Sequence, residues 1–229
     1  MNITFTNTAN IPEEYAPKPA TASVPDWYKN LESYVGKEKK PNGDGNTTAT
    51  IKRCMPVFDA ITNGYILYTY TDVWISQKDD MPWYEWPSFG PIKFHPVEQA
   101  PDHPNRNGHQ TSYPKWVNPW SIQTPPGYSV LFVQPFHRES AFTIFPGIVD
   151  TDQYDAPVNF PFVLNNIKYE GLIPAGTPMA QIIPFKRESW EMSFGTQEDF
   201  NRQDKTSIRL RTRFFDSYKS QFRQPKEYK

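Results

Sequence analysis

Residues Phe145–Phe160 read FPGIVDTDQYDAPVNF. A Pro-Gly pair, a β-branched pair and three aspartates lie between apolar runs. Pro-Gly followed closely by Asp marks a tight turn, and the runs on either side have the length and residue types of strands. The stretch therefore predicts strand, turn, strand. Much of the surrounding chain has the same character.

Upstream, YSVLFVQPF (128–136) is a β-branched and aromatic run of strand length. Further upstream lie TATIKRCMPVFDA (48–60) and NGYILYTYTDVWIS (63–76), split by a turn-like Thr-Asn-Gly. In the second of these, Tyr65, Leu67, Thr69 and Thr71 share one face, and Ile66, Tyr68, Tyr70 and Asp72 the other. Both faces are partly apolar, so this strand is expected to be covered on both sides. Residues 81–127 are irregular, with Trp83, Trp86, Trp116 and Trp120 close to prolines. Those rings can stack a sugar or a base, or fill a core or an interface, and packing is the more economical reading. Downstream, GLIPAGTPMAQIIPFKR supplies another turn and strand. Helical periodicity appears only over 197–222.

Composition agrees. The chain has 229 residues, 24 of them proline, and 16% are aromatic. Proline is costly inside long helices and central strands, so short strands with ordered loops are expected, around a core built from rings. The predicted fold is mainly β, a barrel or sandwich of short strands with Pro/aromatic-rich loops. An extended N-terminal arm precedes it and a C-terminal helix follows. The boundaries expected are 1–48 for the arm with its polar loop, 49–195 for a single β domain and 196–229 for a basic tail. Within the arm, VPDWYKNLESYV suggests a short helix opening at Asp26, with Trp27, Leu31 and Val35 on one face.

Net charge is −1, so no global field favours nucleic acid. No run of about 18 apolar residues is present, so no membrane partner is expected, and the first residues do not read as a secretory leader. The single Cys54 sits in an apolar run and reads as a buried, inert thiol in a reducing compartment.

Candidate sites are few. Asp150 and Asp152 flank the turn, and two readings stand: carboxylates that bond backbone N–H groups two residues on, or contacts to a ligand or metal. His95, Glu98, His103 and His109 cluster in a Pro/Asn/Gly-rich loop, in a set that could hold zinc or iron. The alternative is a solvated loop. From Lys205 onward basic residues far outnumber acidic ones, so contact of the tail with nucleic acid or an acidic surface stays open beside a plain solvated face.

Gly127, Arg138, Ser140, Gly147 to Asp150, Asn165, Pro174, Gly176 and Ala180 to Ile182 follow one another in the order of the dUTPase and dCTP-deaminase superfamily, which the C-terminal half of the chain resembles. The resemblance implies a nucleotide-handling β scaffold and trimeric assembly. It points to ligand contacts at Arg138, Ser140, Asp150 and Gln181, and Asp152 beside the turn and Tyr154 beyond it are further candidate contacts. In dUTPases the turn aspartate orients the attacking water, and Asp150 matches it, whereas Tyr154 is displaced from the tyrosine of that family. The glycine-rich C-terminal arm that closes over phosphates has no counterpart, because no glycine follows Gly195. The strand VNFPFVLNN lacks the glutamate that serves deaminases as acid and base. IKRCMPVFDAITNGYI, NPWSIQTPPGYSVLFVQP, GIVDTD and GLIPAGTPMAQIIPFKRESW also resemble a family common in marine phages and some bacteria, which supplies a phage context and no chemistry.

Neither catalytic set is complete. The expected function is thus a non-enzymatic, phage-encoded structural or binding protein, in the host cytoplasm or the virion. No catalytic residue and no cofactor are expected. Its partners would be copies of itself, as a trimer, or phage structural proteins. A nucleotide-binding protein or nucleotide hydrolase is the alternative, and a metal-dependent oxygenase built on the histidines is the third reading.

Overall fold

The structure, a computed structural model, describes residues 1–36, 48–87, 90–99, 103, 112–212 and 217–229. The chain forms two compact units: Met1–Ser23 with Asn63–Arg187, and Val24–Thr62 with Glu188–Lys229.

The first unit is mainly β, as expected. Its strands in chain order are β1 Thr4–Asn7, β2 Lys18–Pro19, β3 Tyr65–Tyr68, β4 Val73–Lys78, β5 Met81–Glu85, β6 Ile92–Pro96 and β7 Ser112–Trp116. They continue with β8 Trp120–Gln123, β9 Tyr128–Val133, β10 Phe142–Ile144, β11 Gly147–Val149, β12 Phe160–Leu164, β13 Gly171–Ile173 and β14 Pro178–Lys186. Four small antiparallel sheets result, ordered β11-β9-β14-β3-β2, β10-β12-β7-β6, β13-β4-β5 and β1-β8.

Prolines sit where the ladder can spare an N–H. Pro184 lies in β14 beyond Ile182, the last residue paired to β3, so that stretch has β9 as its one neighbour. Every residue of β3 is buried, which fits its two apolar faces. The core is made of rings. Trp116 stacks on Phe162 at 4.9 Å, and Phe142 lies 5.1 Å from the first and 5.3 Å from the second, all at 1% exposure or less. Each such burial contributes about 1.5–3 kcal/mol before entropy is counted. The N-terminal arm packs on this unit's own strands: β1 pairs with β8 and β2 with β3.

Among its described residues the second unit holds four α-helices: α1 Asp26–Asn30, α2 Met55–Thr62, α3 Gln197–Thr212 and α4 Ser217–Gln221. In α1 the buried ring is Tyr28, whereas Trp27 is 44% and Val35 69% exposed. The run 48–60, expected to be a strand, instead carries α2. Pro56 suits a first helical turn, and Gly64, at φ 71°, stands just past the helix end. Cys54 precedes that helix and is exposed, not buried. Asp59 of α2 accepts hydrogen bonds from Arg223 at 2.7 Å and Lys226 at 3.2 Å. Burial works to raise its pKa, but those two cations win and hold it below the usual range.

The expected C-terminal helix is present as α3. Thr196 and Asp199 close its N-terminus reciprocally: the Thr196 N–H donates to Asp199 Oδ2 at 2.9 Å, and the Asp199 N–H donates to Thr196 Oγ1 at 3.4 Å. None of its described side chains is buried. No described helix is long and apolar enough to cross a membrane.

Candidate functional site

Three neighbouring strands, β11, β9 and β14, bring the turn carboxylates to one end of the five-stranded sheet. Val149 of β11 is opposite Val130 of β9, and Ser129 is opposite Phe185 of β14. The Arg187 N–H donates to the Gly127 carbonyl at 2.8 Å, which fixes the arginine beside the loop that opens β9.

The carboxylates do not bond N–H groups two residues on. Asp152 accepts from the Gly127 N–H at 2.8 Å and from both Arg187 terminal nitrogens, at 2.8 and 2.5 Å. A fork-to-fork pair of this kind is the strong form of the carboxylate–guanidinium bond. The Asp152 side chain is 2% exposed. Arg187, and then the Gly127 N–H, hold its carboxyl well below the usual carboxylate range. Asp150 accepts from Ser129 Oγ at 2.6 Å and lies 3.4 Å from Arg187, with its side chain 60% exposed. The turn between them is pinned by its middle residue: Thr151 is 1% exposed and bonds Thr124 at 2.8 Å through the two hydroxyls. The turn closes where the Gln153 and Tyr154 N–H groups both donate to the Asp150 carbonyl. The Tyr154 ring is 47% exposed.

The other candidates lie elsewhere. Gln181 is fully buried; its Oε1 accepts from the Phe136 N–H at 3.0 Å and its Nε2 donates to the Asn63 carbonyl at 2.7 Å. It stands opposite Val133, four residues along β14 from Phe185, so roughly 13 Å separates it from the Ser129 row. Arg138 donates to the Ser23 carbonyl, and burial pushes its pKa down. Its Nε has no hydrogen-bond partner among the described residues. Ser140 Oγ accepts from the Phe142 N–H at 3.2 Å, and its carbonyl from the Asn165 amide at 2.7 Å.

Among the histidines, His95 Nδ1 is 2.6 Å from Gln99 Oε1, and Glu98 is exposed. The His103 ring stacks on Phe145 at 4.0 Å. His109 lies outside the described residues. Among the described residues no group of three or more His, Cys, Asp or Glu is placed to hold a metal.

The arrangement can hold a turn rigidly. A general base needs a carboxylate poised near neutral pH and free to take a proton; Asp152 is neither. Arg187 was the residue missed from the sequence. Its one signal is position, a cation where the chain leaves the strand whose neighbour carries the turn.

The lock has a pH signature. A carboxyl whose folded pKa is depressed contributes stability above its unfolded value, near about 4, and loses it as pH falls through the folded value. Arg187→Met removes the partner and leaves a covered carboxylate. Its melting temperature is expected below that of the wild type at pH 7, with the gap closing below about pH 4. Melting curves from pH 7 to 3 check this, and equal curves at pH 7 would contradict it.

No family model matches the chain, and no curated protein matches it. Among solved structures, a point mutant of the dUTPase from phage phi11 of S. aureus is similar over 85% of this chain and 97% of that chain, at 10% identity and a TM-score of 0.37. A point mutant of the Staphylococcus bacteriophage 80alpha dUTPase, with dUpNHpp, is similar over 85% and 88%, at 11% identity and a TM-score of 0.34.

Proposed function

We propose that the protein is a non-enzymatic binding and assembly protein: a β scaffold whose turn carboxylates serve rigidity, joined to an apolar segment that docks on further copies. A role as a structural component of a phage particle is the form this takes in the context the sequence suggests.

One observation carries the reading. Trp190, Met192 and Phe194 occupy alternate positions of a segment outside any helix or strand and are 87%, 81% and 88% exposed. Soluble chains seldom leave so large a contiguous apolar patch to water, and such patches mark interaction sites. Three side chains of this size present about 500 Å² per chain. Two paired segments would bury roughly 1,000 Å², the lower end of what a specific interface needs. Alternation every second residue also suits addition of a strand to a sheet edge. The internal pairing of Asp152, Gln181 and Arg187 supports the non-catalytic half of the reading.

Light scattering on the full chain tests it. More than one copy per particle is expected at micromolar concentration. The triple variant Trp190→Ser, Met192→Ser, Phe194→Ser is expected to be monomeric with an unchanged β unit. A wild-type chain that stays monomeric would overturn the assembly role.

A further inference from the structure

We propose that the outward face of the β13-β4-β5 sheet binds a neutral glycan, with Trp74 and Trp83 as its stacking floor. The hairpin that builds this face is sharply defined. Lys78 of β4 is opposite Met81 of β5, leaving Asp79 and Asp80 as a two-residue loop, both in the left-handed region at φ 51° and 61°. That is the turn whose twist matches paired strands.

Val73 and Ile75 point inward, at 0% and 3% exposure, so Trp74, Ser76 and Lys78 point outward. Leu172 of β13 and Glu85 of β5 stand directly opposite Trp74 on either side, and Trp83 stands opposite Ser76. Trp83 is therefore the diagonal neighbour of Trp74, close enough for both indoles to touch one ligand.

Trp74 is 44%, Trp83 47% and Leu172 41% exposed, about half the 87% of Trp190, which stands free. Such half-covered side chains form a platform rather than a flexible arm. Polar groups surround it. The Lys78 ammonium lies over the Trp83 ring, 4.5 Å from its centre, and its N–H groups are donors at the edge of the platform. The Glu85 side chain, exposed at the end of β5, makes no ion pair with a described residue and offers two acceptor oxygens.

Area and charge choose the occupant. Three side chains about half covered expose roughly 300 Å², well under the ~800 Å² per side that a stable protein partner needs. A second copy of the chain is thus a poor fit, and a small or thread-like ligand a good one. Around the face, Asp79, Asp80 and Glu85 outnumber Lys78 and Lys168, and Lys168 is already paired to Asp80 at 2.8 Å. Binding of a polyanion rests on neutralising phosphates with cations, and here the balance is acidic. A pyranose ring meets what is present: its C–H face packs on an indole, and its rim hydroxyls both donate to Glu85 and accept from Lys78.

The test titrates the full chain with cellohexaose, maltohexaose, mannohexaose and the hexamer of N-acetylglucosamine, read by calorimetry and tryptophan fluorescence, with an oligothymidylate alongside. At least one hexasaccharide is expected to bind and shift the fluorescence. Trp74→Ala should weaken it at least about tenfold, and Glu85→Gln, which keeps the side-chain shape, should weaken it too. Both variants should melt with the wild type. Binding of none of the four sugars at about millimolar concentration would overturn the proposal. So would sugar binding unchanged in the Trp74→Ala, Trp83→Ala chain, or salt-sensitive binding of the oligothymidylate in place of the sugars.

Discussion

Gly64→Ala is expected to unfold the β unit. Gly64 adopts φ 71°, and a Cβ built there would meet the Ile182 carbonyl oxygen at 1.8 Å and its carbon at 2.9 Å. Those atoms are backbone, in a strand paired on both sides at Ile182, so nothing flexible can give way. The Gly64 carbonyl also accepts the Ala20 N–H at 2.9 Å, so moving the turn would break the anchoring of the N-terminal segment. Steric conflict and a disfavoured backbone add, and the cost should exceed about 4 kcal/mol, most of the net stability of an ordinary domain. Gly36→Ala is the matched control. Gly36 has φ 73° but open space around its missing Cβ, so the change should cost only about 1 kcal/mol. Melting temperature and soluble yield of the two variants check the difference. A Gly64→Ala chain as stable as the Gly36→Ala chain would contradict the packing described for β14.

Gln181→Ala is expected to have the second-largest effect, on stability. The side chain is fully buried and bridges the Phe136 N–H to the Asn63 carbonyl. Truncation leaves a buried donor and a buried acceptor unpaired and a cavity in their place. Each orphaned group costs about 1–3 kcal/mol, so a total near 3–4 kcal/mol is expected. In a chain of this size that lowers the melting temperature by roughly 10 °C. Gln181→Glu should be as harmful, because a carboxylate cannot donate to the Asn63 carbonyl. A glutamine kept for a ligand would behave otherwise: its loss would leave the melting curve in place.

The strands were legible where pattern and burial agree. The apolar run 128–133 survives as β9, whereas 63–76, read as one strand, is broken after Tyr68 into β3 and β4, which belong to different sheets. The turn at 150–154 was legible from its Asp and its Pro-Gly lead. The segment 48–60 was misread because its threonine, isoleucine, valine and phenylalanine have strand propensity, whereas the helix there is set by Pro56 in its first turn and by the glycine beyond its end. Tertiary context overrode propensity. For the site, residue types were readable but their partners were not. That Asp152 would meet Arg187, 35 positions away, depends on the strand order β11-β9-β14, which no local pattern encodes. Likewise Trp83 reads as a packing ring in the sequence, and only the register of β4 against β5 sets it on an outward face beside Trp74.

In the function proposed above, the turn carboxylates form a structural lock and not a catalytic centre. Calorimetry of the full chain against dUTP and dCTP, run beside assays for released pyrophosphate and ammonia, tests it most directly. No saturable heat is expected up to about millimolar nucleotide, equivalent to about −4 kcal/mol, and no product. Saturable binding or turnover that disappears in Asp150→Asn or Arg138→Ala, in chains that still melt with the wild type, would contradict it.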